Sequence, residues 1–127
     1  MNRTEFKAQI QVLRSLKGSR ALDPDGLDWL ERTFEKEYPD HLPLPRLYPD
    51  RILRGVFAKW DTEGYEMTLI IFLSTTRAYW NVASKKGNYD NGKHILHLCE
   101  KDEWDWLIDR LSYLLPKQTA EQRKELK

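Results

Sequence analysis

Between residues 55 and 98, four consecutive segments alternate apolar and other side chains with the period of two that is typical of β-strands. The segments are residues 55–60, 65–74, 77–82 and 94–99. A short loop at residues 61–64 joins the first pair, and residues 84–93, with an Asn91-Gly92 turn signal, precede the last segment. Because consecutive strands joined by short loops usually pair, the pattern predicts a four-stranded antiparallel meander.

Helical spacing of apolar residues appears before and after this region. Phe6, Ile10 and Leu13 begin a stripe in a helix predicted for residues 4–17, with Thr4 as its cap. A second amphipathic helix is predicted for residues 102–116, where acids occupy the start and Pro116 marks the end.

A further helix is predicted between these elements, directly after the first one. Asp23 has the position of an N-cap, Pro24 that of the first helical residue, and Pro39 closes the helix. Residues 39–50 contain four prolines, which lack a backbone donor. We therefore expect residues 39–50 to form an extended connector without regular hydrogen bonding.

The resulting order of elements, ααββββα, is typical of an α+β fold in which helices pack on an antiparallel sheet. Residues 1–116 are expected to form one domain, and residues 117–127 a polar tail. One sheet face collects the apolar residues of correct parity, and we expect it to face the core. Its members are Val56, Ala58, Trp60, Met67, Leu69, Ile71, Leu73, Ala78, Trp80, Val82, Leu96 and Leu98.

The opposite face is more apolar than a solvated face should be. Phe57, Ile70, Phe72 and Tyr79 have the outward parity, and Ile95 and His97 are the further candidates for this face. Leaving a large apolar side chain in water forgoes about 1.5 to 3 kcal/mol of burial free energy. Two explanations are open: the three helices cover both faces, or a partner protein or a second copy of the chain covers the outer one.

Two aromatic residues of the last helix lie away from its apolar stripe. Trp106 and Tyr113 are seven residues apart and therefore share one side of that helix. Aromatic side chains outside core stripes are enriched at protein interfaces. We predict Trp106 and Tyr113 as secondary binding residues beside the sheet patch.

Composition and charge restrict the class of protein. The chain is 40% hydrophobic and 32% charged, with a net charge of +1, which favours a soluble globule and gives no bulk field towards nucleic acid or anionic membrane. The single cysteine, Cys99, excludes an internal disulfide and favours the cytoplasm. The first twenty residues have no apolar run of signal-peptide length, so we expect no export or membrane signal.

No residue pattern indicates an enzyme, a metal or a cofactor. His97 and Cys99 share a strand face, but zinc requires three or four ligands and no second cluster offers the rest. The serines have no nucleophile-elbow context, and no glycine-rich loop connects a strand to a helix. We predict a chain without catalytic residues, metal or cofactor.

Single-stranded nucleic acid is the second candidate partner. Arg46, Arg54 and Lys59 lie near the predicted sheet, and Arg77 adjoins Tyr79 on it. Aromatic residues flanked by bases are used by sheets that stack unpaired bases. This alternative predicts binding that depends on Arg77 and Lys86.

Residues 42–82 combine a proline-rich entry ending in "YP", a glycine-containing strand ending at Trp60, and an alternating strand. In these features the segment resembles the core of a loosely defined group of small bacterial proteins of mobile or phage-related contexts. The resemblance implies a small bacterial α+β protein and no catalytic residue. Ile70 and Phe72 depart from the polar outward residues of that group.

These observations together predict a non-enzymatic protein-interaction module. It would act as an antitoxin, an immunity protein or a phage-encoded inhibitor does, by blocking the surface of its partner. The predicted binding residues are Phe57, Ile70, Phe72, Tyr79, Trp106 and Tyr113.

Overall fold

The computed structural model describes residues 2–50, 52, 54–85 and 89–115, except for the side chains of residues 89–94. Three α-helices and five β-strands follow in the order α1, α2, β1 to β5, α3. Their bounds are α1 Arg3–Arg14, α2 Pro24–Glu37, β1 Arg46–Asp50, β2 Gly55–Asp61, β3 Tyr65–Phe72, β4 Arg77–Ser84, β5 Tyr89–His97 and α3 Lys101–Leu114. A short 3₁₀ turn, Gly18–Arg20, lies between α1 and α2. The predicted tail, residues 117–127, lies outside the described residues.

The α+β class, the three helices and the antiparallel sheet are confirmed. The predicted cap of α1 was wrong by two residues, because the side chain of Asn2, not Thr4, accepts a hydrogen bond from the Glu5 amide at 2.8 Å. At α2 the predicted start is correct: Asp23 accepts from the Gly26 amide at 3.1 Å, and Pro24 is the first helical residue.

The predicted count of four strands was wrong, since the sheet has five strands in the order β1-β2-β3-β4-β5. The additional strand, β1, lies inside the segment that was expected to be an irregular connector, and it pairs antiparallel with β2. Proline is tolerated there because β1 is at the edge of the sheet, where a residue needs ladder hydrogen bonds on one side only. Pro49 therefore fits within β1 without breaking its pairing with β2.

The last strand also differs from its prediction. β5 begins at Tyr89, so Asn91 and Gly92 lie within a strand and the predicted Asn-Gly turn was wrong. A register shift between Trp80 and Val82 of β4 accommodates the pairing with β5. Asn91 and Gly92 lie at this register shift, between the pairs Val82–Asp90 and Trp80–His94, so the dipeptide lies at an irregularity of the strand and not in a turn between strands.

All three helices pack against one face of the sheet, which we call the inner face. The twelve residues predicted for that face are all buried, and with the apolar stripes of the helices they form a single core. Phe34 of α2 contacts Trp104 of α3 edge to face, with ring centroids 5.1 Å apart. The indole of Trp104 donates to the carbonyl of Leu98 at 2.7 Å, which ties α3 to the end of β5.

A hydrogen-bonded cluster holds the connector against the core beside β2. The Tyr38 hydroxyl donates to the carbonyl of Pro43, and the Trp60 indole donates to both Pro43 O at 3.1 Å and Tyr38 Oη at 3.0 Å. The Arg3 guanidinium donates to the carbonyl of Tyr38 at 2.7 Å. Burial raises the pKa of the Tyr38 hydroxyl well above its ordinary value of 10.0, so this donor stays protonated.

Candidate protein-interaction surface

The side of the sheet that faces away from the three helices, here called the open face, carries one apolar residue from every strand. Register places Tyr48 opposite Phe57, Phe57 opposite Ile70, Ile70 opposite Tyr79, and Tyr79 opposite Ile95. These five residues form a continuous line across the whole sheet, which we call the central row. Side chains directly opposite on antiparallel strands have Cβ atoms about 4.5 to 5.5 Å apart, so the row is one contiguous surface.

The central row is accessible to solvent. Tyr48, Tyr79 and Ile95 are 43%, 42% and 51% exposed, while Phe57 and Ile70 are half-buried between their neighbours. The described helices all lie on the inner side, so the burial within the row comes from the sheet itself. Of the two explanations left open by the sequence, coverage of both faces by helices does not apply to the described helices.

Phe72 extends the central row towards one end of the strands. Its ring contacts that of Tyr79 edge to face, with centroids 5.3 Å apart. The four sheet residues predicted as a binding patch, Phe57, Ile70, Phe72 and Tyr79, therefore lie together on the open face.

The two helical residues predicted as secondary anchors lie elsewhere. Trp106 is half-buried on α3, and the guanidinium of Arg110 lies 5.1 Å from the centre of its ring. Tyr113 is 87% exposed on the same helix. Because α3 packs on the inner face, neither residue is contiguous with the central row.

Tyr48 belongs to the central row but was missed in the sequence. The four prolines around it concealed a short alternating pattern, in which Leu47 points to the core and Arg46 and Tyr48 point outwards. That alternation was the available signal for a strand.

Polar residues flank the central row on one side. The next row along the strands consists of Arg46, Lys59, Thr68 and Asn81. Lys59 is shared between Glu66, 3.6 Å away, and the ring of Tyr48, whose centre is 5.8 Å away. At the same end of the sheet, Lys85 pairs with Asp61. Lys59 and Lys85 therefore have carboxylate partners within the chain.

On the other side of the central row, Gly55 lies between Asp50 and Phe72 and has no side chain. A Cβ built on Gly55 would lie 2.3 Å from the carbonyl oxygen of Ile71, which is far closer than any side chain tolerates. Only glycine permits β2 to approach β3 so closely at this point.

Pairing along the β1 edge of the sheet is blocked by two features. The amide of Leu47 points away from β2 and donates to Oε1 of Gln9 in α1 at 2.9 Å. Pro49, two residues later and hence directed to the same side, has no amide hydrogen. Neither of these two positions can therefore donate a backbone hydrogen bond to an added strand.

Other kinds of site find little support among the described residues. Within them, no group of three or more histidine, cysteine or acidic residues is arranged to hold a metal ion. No described helix has the length and apolar character needed to cross a membrane. A cleft of about 590 Å³ lies beside the open face, where Glu5, Arg46, Asp61 and Leu115 contribute to its walls.

Comparison with known proteins identifies no relative: no protein-family model matches the chain, and no curated protein and no solved structure matches it either. The resemblance noted for residues 42–82 thus remains a prediction.

Proposed function

We propose that this chain is a non-enzymatic protein-interaction module whose open face binds the surface of another protein. By covering that surface it would block the partner, as antitoxins, immunity proteins and phage-encoded inhibitors do. The observation that supports the proposal is the central row, in which five strands each present an apolar side chain to solvent on a face without a described helix. Contiguous exposed apolar patches on soluble domains usually mark association sites.

The composition of the open face also favours a protein partner. An apolar centre that includes Tyr48, Phe57 and Tyr79 is bordered by charged and amide side chains. Protein interfaces have this arrangement, with aromatic residues at the centre and a polar, hydrated rim. The hydroxyls of the two tyrosines can keep hydrogen bonds while their rings are covered.

The partner can be identified by affinity capture from an extract of the native host and then titrated as a purified protein. Tyr79→Lys should weaken its binding by at least about tenfold, because this change places a cation in the apolar centre. Val12→Lys is the matched control, since Val12 is 63% exposed on α1, on the other side of the molecule. Equal affinity of Tyr79→Lys and Val12→Lys for the captured protein would refute the proposal.

Single-stranded nucleic acid is the second candidate. The proximity of Arg77 to Phe72 and Tyr79 favours it, because unpaired bases stack on aromatic rings beside cations. The pairing of Lys59 and Lys85 with carboxylates argues against it, since these two cations are already engaged within the chain. Lys86 lies outside the described residues.

Titration of a labelled single-stranded oligonucleotide distinguishes the candidates. Nucleic-acid binding predicts an affinity that falls steeply with salt and that Arg77→Ala reduces. The protein-interaction proposal predicts no such salt-dependent binding.

A further inference from the structure

We infer that a second copy of this chain covers the open face when no other partner is bound, with Ile70 of the two copies meeting on a two-fold axis. This inference rests on the proposed function, because it names an occupant of the same surface. It also implies regulation: the dimer would shield the central row, and a partner protein would have to compete with the second copy for it.

The position of Ile70 makes the face suited to two-fold contact. β3 is the middle strand of five, and Ile70 is the residue of β3 in the central row. When two such faces are stacked about an axis along β3, Ile70 contacts its own counterpart. The order of strands in the second copy is reversed, so β2 lies over β4 and β1 over β5.

This arrangement matches apolar with apolar residues along the central row. Phe57 of one copy lies over Tyr79 of the other, and Tyr48 lies over Ile95. Each of these pairs occurs twice because of the symmetry. The whole row is then covered by the whole row of the second copy.

Charges are compatible in the same arrangement. Lys59 lies over Asn81 of the second copy, an uncharged side chain that offers an amide oxygen. Arg77 lies over Gly55, which has no side chain that could carry a like charge. Lys59 and Arg77 thus meet no cation across the axis. Glu66 lies on β3 and therefore meets Glu66 of the second copy, and Lys59, 3.6 Å from Glu66 within each copy, offsets part of that repulsion.

The size of the face fits an exchangeable dimer. Five strands of five to nine residues, at about 3.4 Å per residue and about 4.8 Å between strands, give a face of about 600 Å². A standard interface buries about 800 Å² on each partner, whereas permanent dimers bury considerably more. The area therefore allows specific association while leaving the face available to a competing partner.

Other segments or surfaces of the chain are less suited to cover the open face or to form a dimer. Residues 116–127 contain one large apolar side chain, Leu126, and six charged residues, which is too polar a composition to cover the central row. Pairing of two β1 edges is blocked by Gln9 and Pro49. The face-to-face arrangement is the one that the described residues favour.

Light scattering of the purified chain over about 1 µM to about 1 mM tests the inference. The mass should rise from 15.2 kDa towards twice that value, and Ile70→Lys should remain at 15.2 kDa. Tyr79→Lys, at a more exposed position, serves as a second variant if Ile70→Lys unfolds. Val12→Lys should associate as the wild type does. A wild-type mass that stays at one chain throughout the range would overturn the inference.

Crosslinking tests the symmetry directly. In a Cys99→Ser background, Ile70→Cys should be joined into dimers by a short thiol-specific crosslinker at the higher concentrations, and Val12→Cys should not. A dimer in which Ile70→Cys is not joined, and which Ile70→Lys does not dissociate, uses another surface and contradicts the inference.

The experiments distinguish a failure of the second-copy inference from a failure of the proposed function. A monomeric wild type whose captured partner is lost with Tyr79→Lys refutes the second copy and leaves the proposed function in place. A dimer dissociated by Tyr79→Lys, with a captured partner that binds this variant normally, refutes the proposed function and leaves the second copy.

Discussion

Phe72 and Tyr79 contact each other edge to face on the solvent side of the sheet, with ring centroids 5.3 Å apart. Phe72 ends β3, and Tyr79 lies on the neighbouring strand, one row further along. An aromatic contact on an outward face orders the surface without contributing to the core. The pair thereby forms one edge of the open face.

The contact should be measurable as a coupling energy. Phe72→Ala and Tyr79→Ala, alone and combined, form a double-mutant cycle in urea unfolding. Edge-to-face pairs are coupled by about 0.5 to 1.5 kcal/mol beyond their burial, so the double variant should be more stable than the two single effects imply. Additive effects, within about 0.3 kcal/mol, would show that the rings do not interact in solution.

Gly55 should not tolerate a side chain. Gly55→Ala places a Cβ 2.3 Å from Ile71 O and should destabilise the fold by about 2 to 3 kcal/mol, because β2 and β3 must separate. Gly64→Ala is the matched control, since a Cβ there would have no atom within 4 Å. Thermal unfolding of both variants provides the comparison. Similar midpoints for the two would mean that the close approach at Gly55 is absent.

Tyr38 should make stability depend on alkaline pH. Its pKa is raised in the folded state, so the unfolded chain loses this proton first as pH rises above about 10. The stabilisation is thus complete below pH 10 and is lost progressively above it, at up to about 1.4 kcal/mol per pH unit. Urea unfolding between pH 8 and 11 should show a steeper loss for the wild type than for Tyr38→Phe.

Tyr38→Phe should also lower the stability of the fold at neutral pH. Tyr38→Phe removes the hydroxyl that donates to Pro43 and accepts from Trp60, and should lower stability by about 1 to 2 kcal/mol. Parallel pH profiles of wild type and Tyr38→Phe would be inconsistent with a buried, protonated hydroxyl at this position.

Opening the β1 edge should promote aggregation. Gln9→Ala leaves the Leu47 amide without its side-chain acceptor, and Pro49→Val adds an amide on the same side of β1. The double variant should form aggregates faster than the wild type on incubation at elevated temperature, as measured by turbidity. The comparison with Val12→Lys, which leaves β1 unchanged, separates an edge effect from a general effect of surface substitution. Unchanged kinetics in the double variant would show that this edge needs no protection.

The sequence predicted the fold class and the core face well because both depend on periodicity. All twelve residues placed on the inner face are buried, since parity along a strand determines the face regardless of exact strand ends. Local signals were less reliable. Asn91-Gly92 favours a turn but lies within β5, at its register shift against β4. Pro49 disfavours a strand but lies within β1, because pairing with β2 outweighed the local preference there.

The open face was only partly predictable for the same reason. Phe57, Ile70 and Tyr79 were recognised from parity, whereas Tyr48 was missed together with its strand. Which face the helices cover cannot be read from periodicity, because each helix has an apolar stripe whichever side of the sheet it packs on. Trp106 and Tyr113 were grouped with the sheet patch because they lie off the apolar stripe of their helix, and tertiary packing separates them from that patch.

Binding through the open face can be tested most directly by the rate of thiol labelling of Tyr79→Cys. The rate is measured in a Cys99→Ser background, with and without the captured partner. Tyr79 is 42% exposed and Val12 is 63% exposed, so both engineered cysteines should react readily in the isolated chain at low concentration. We predict that the partner slows labelling of Tyr79→Cys strongly and leaves Val12→Cys unchanged. Equal labelling of Tyr79→Cys in the free and the bound chain would contradict binding through the open face.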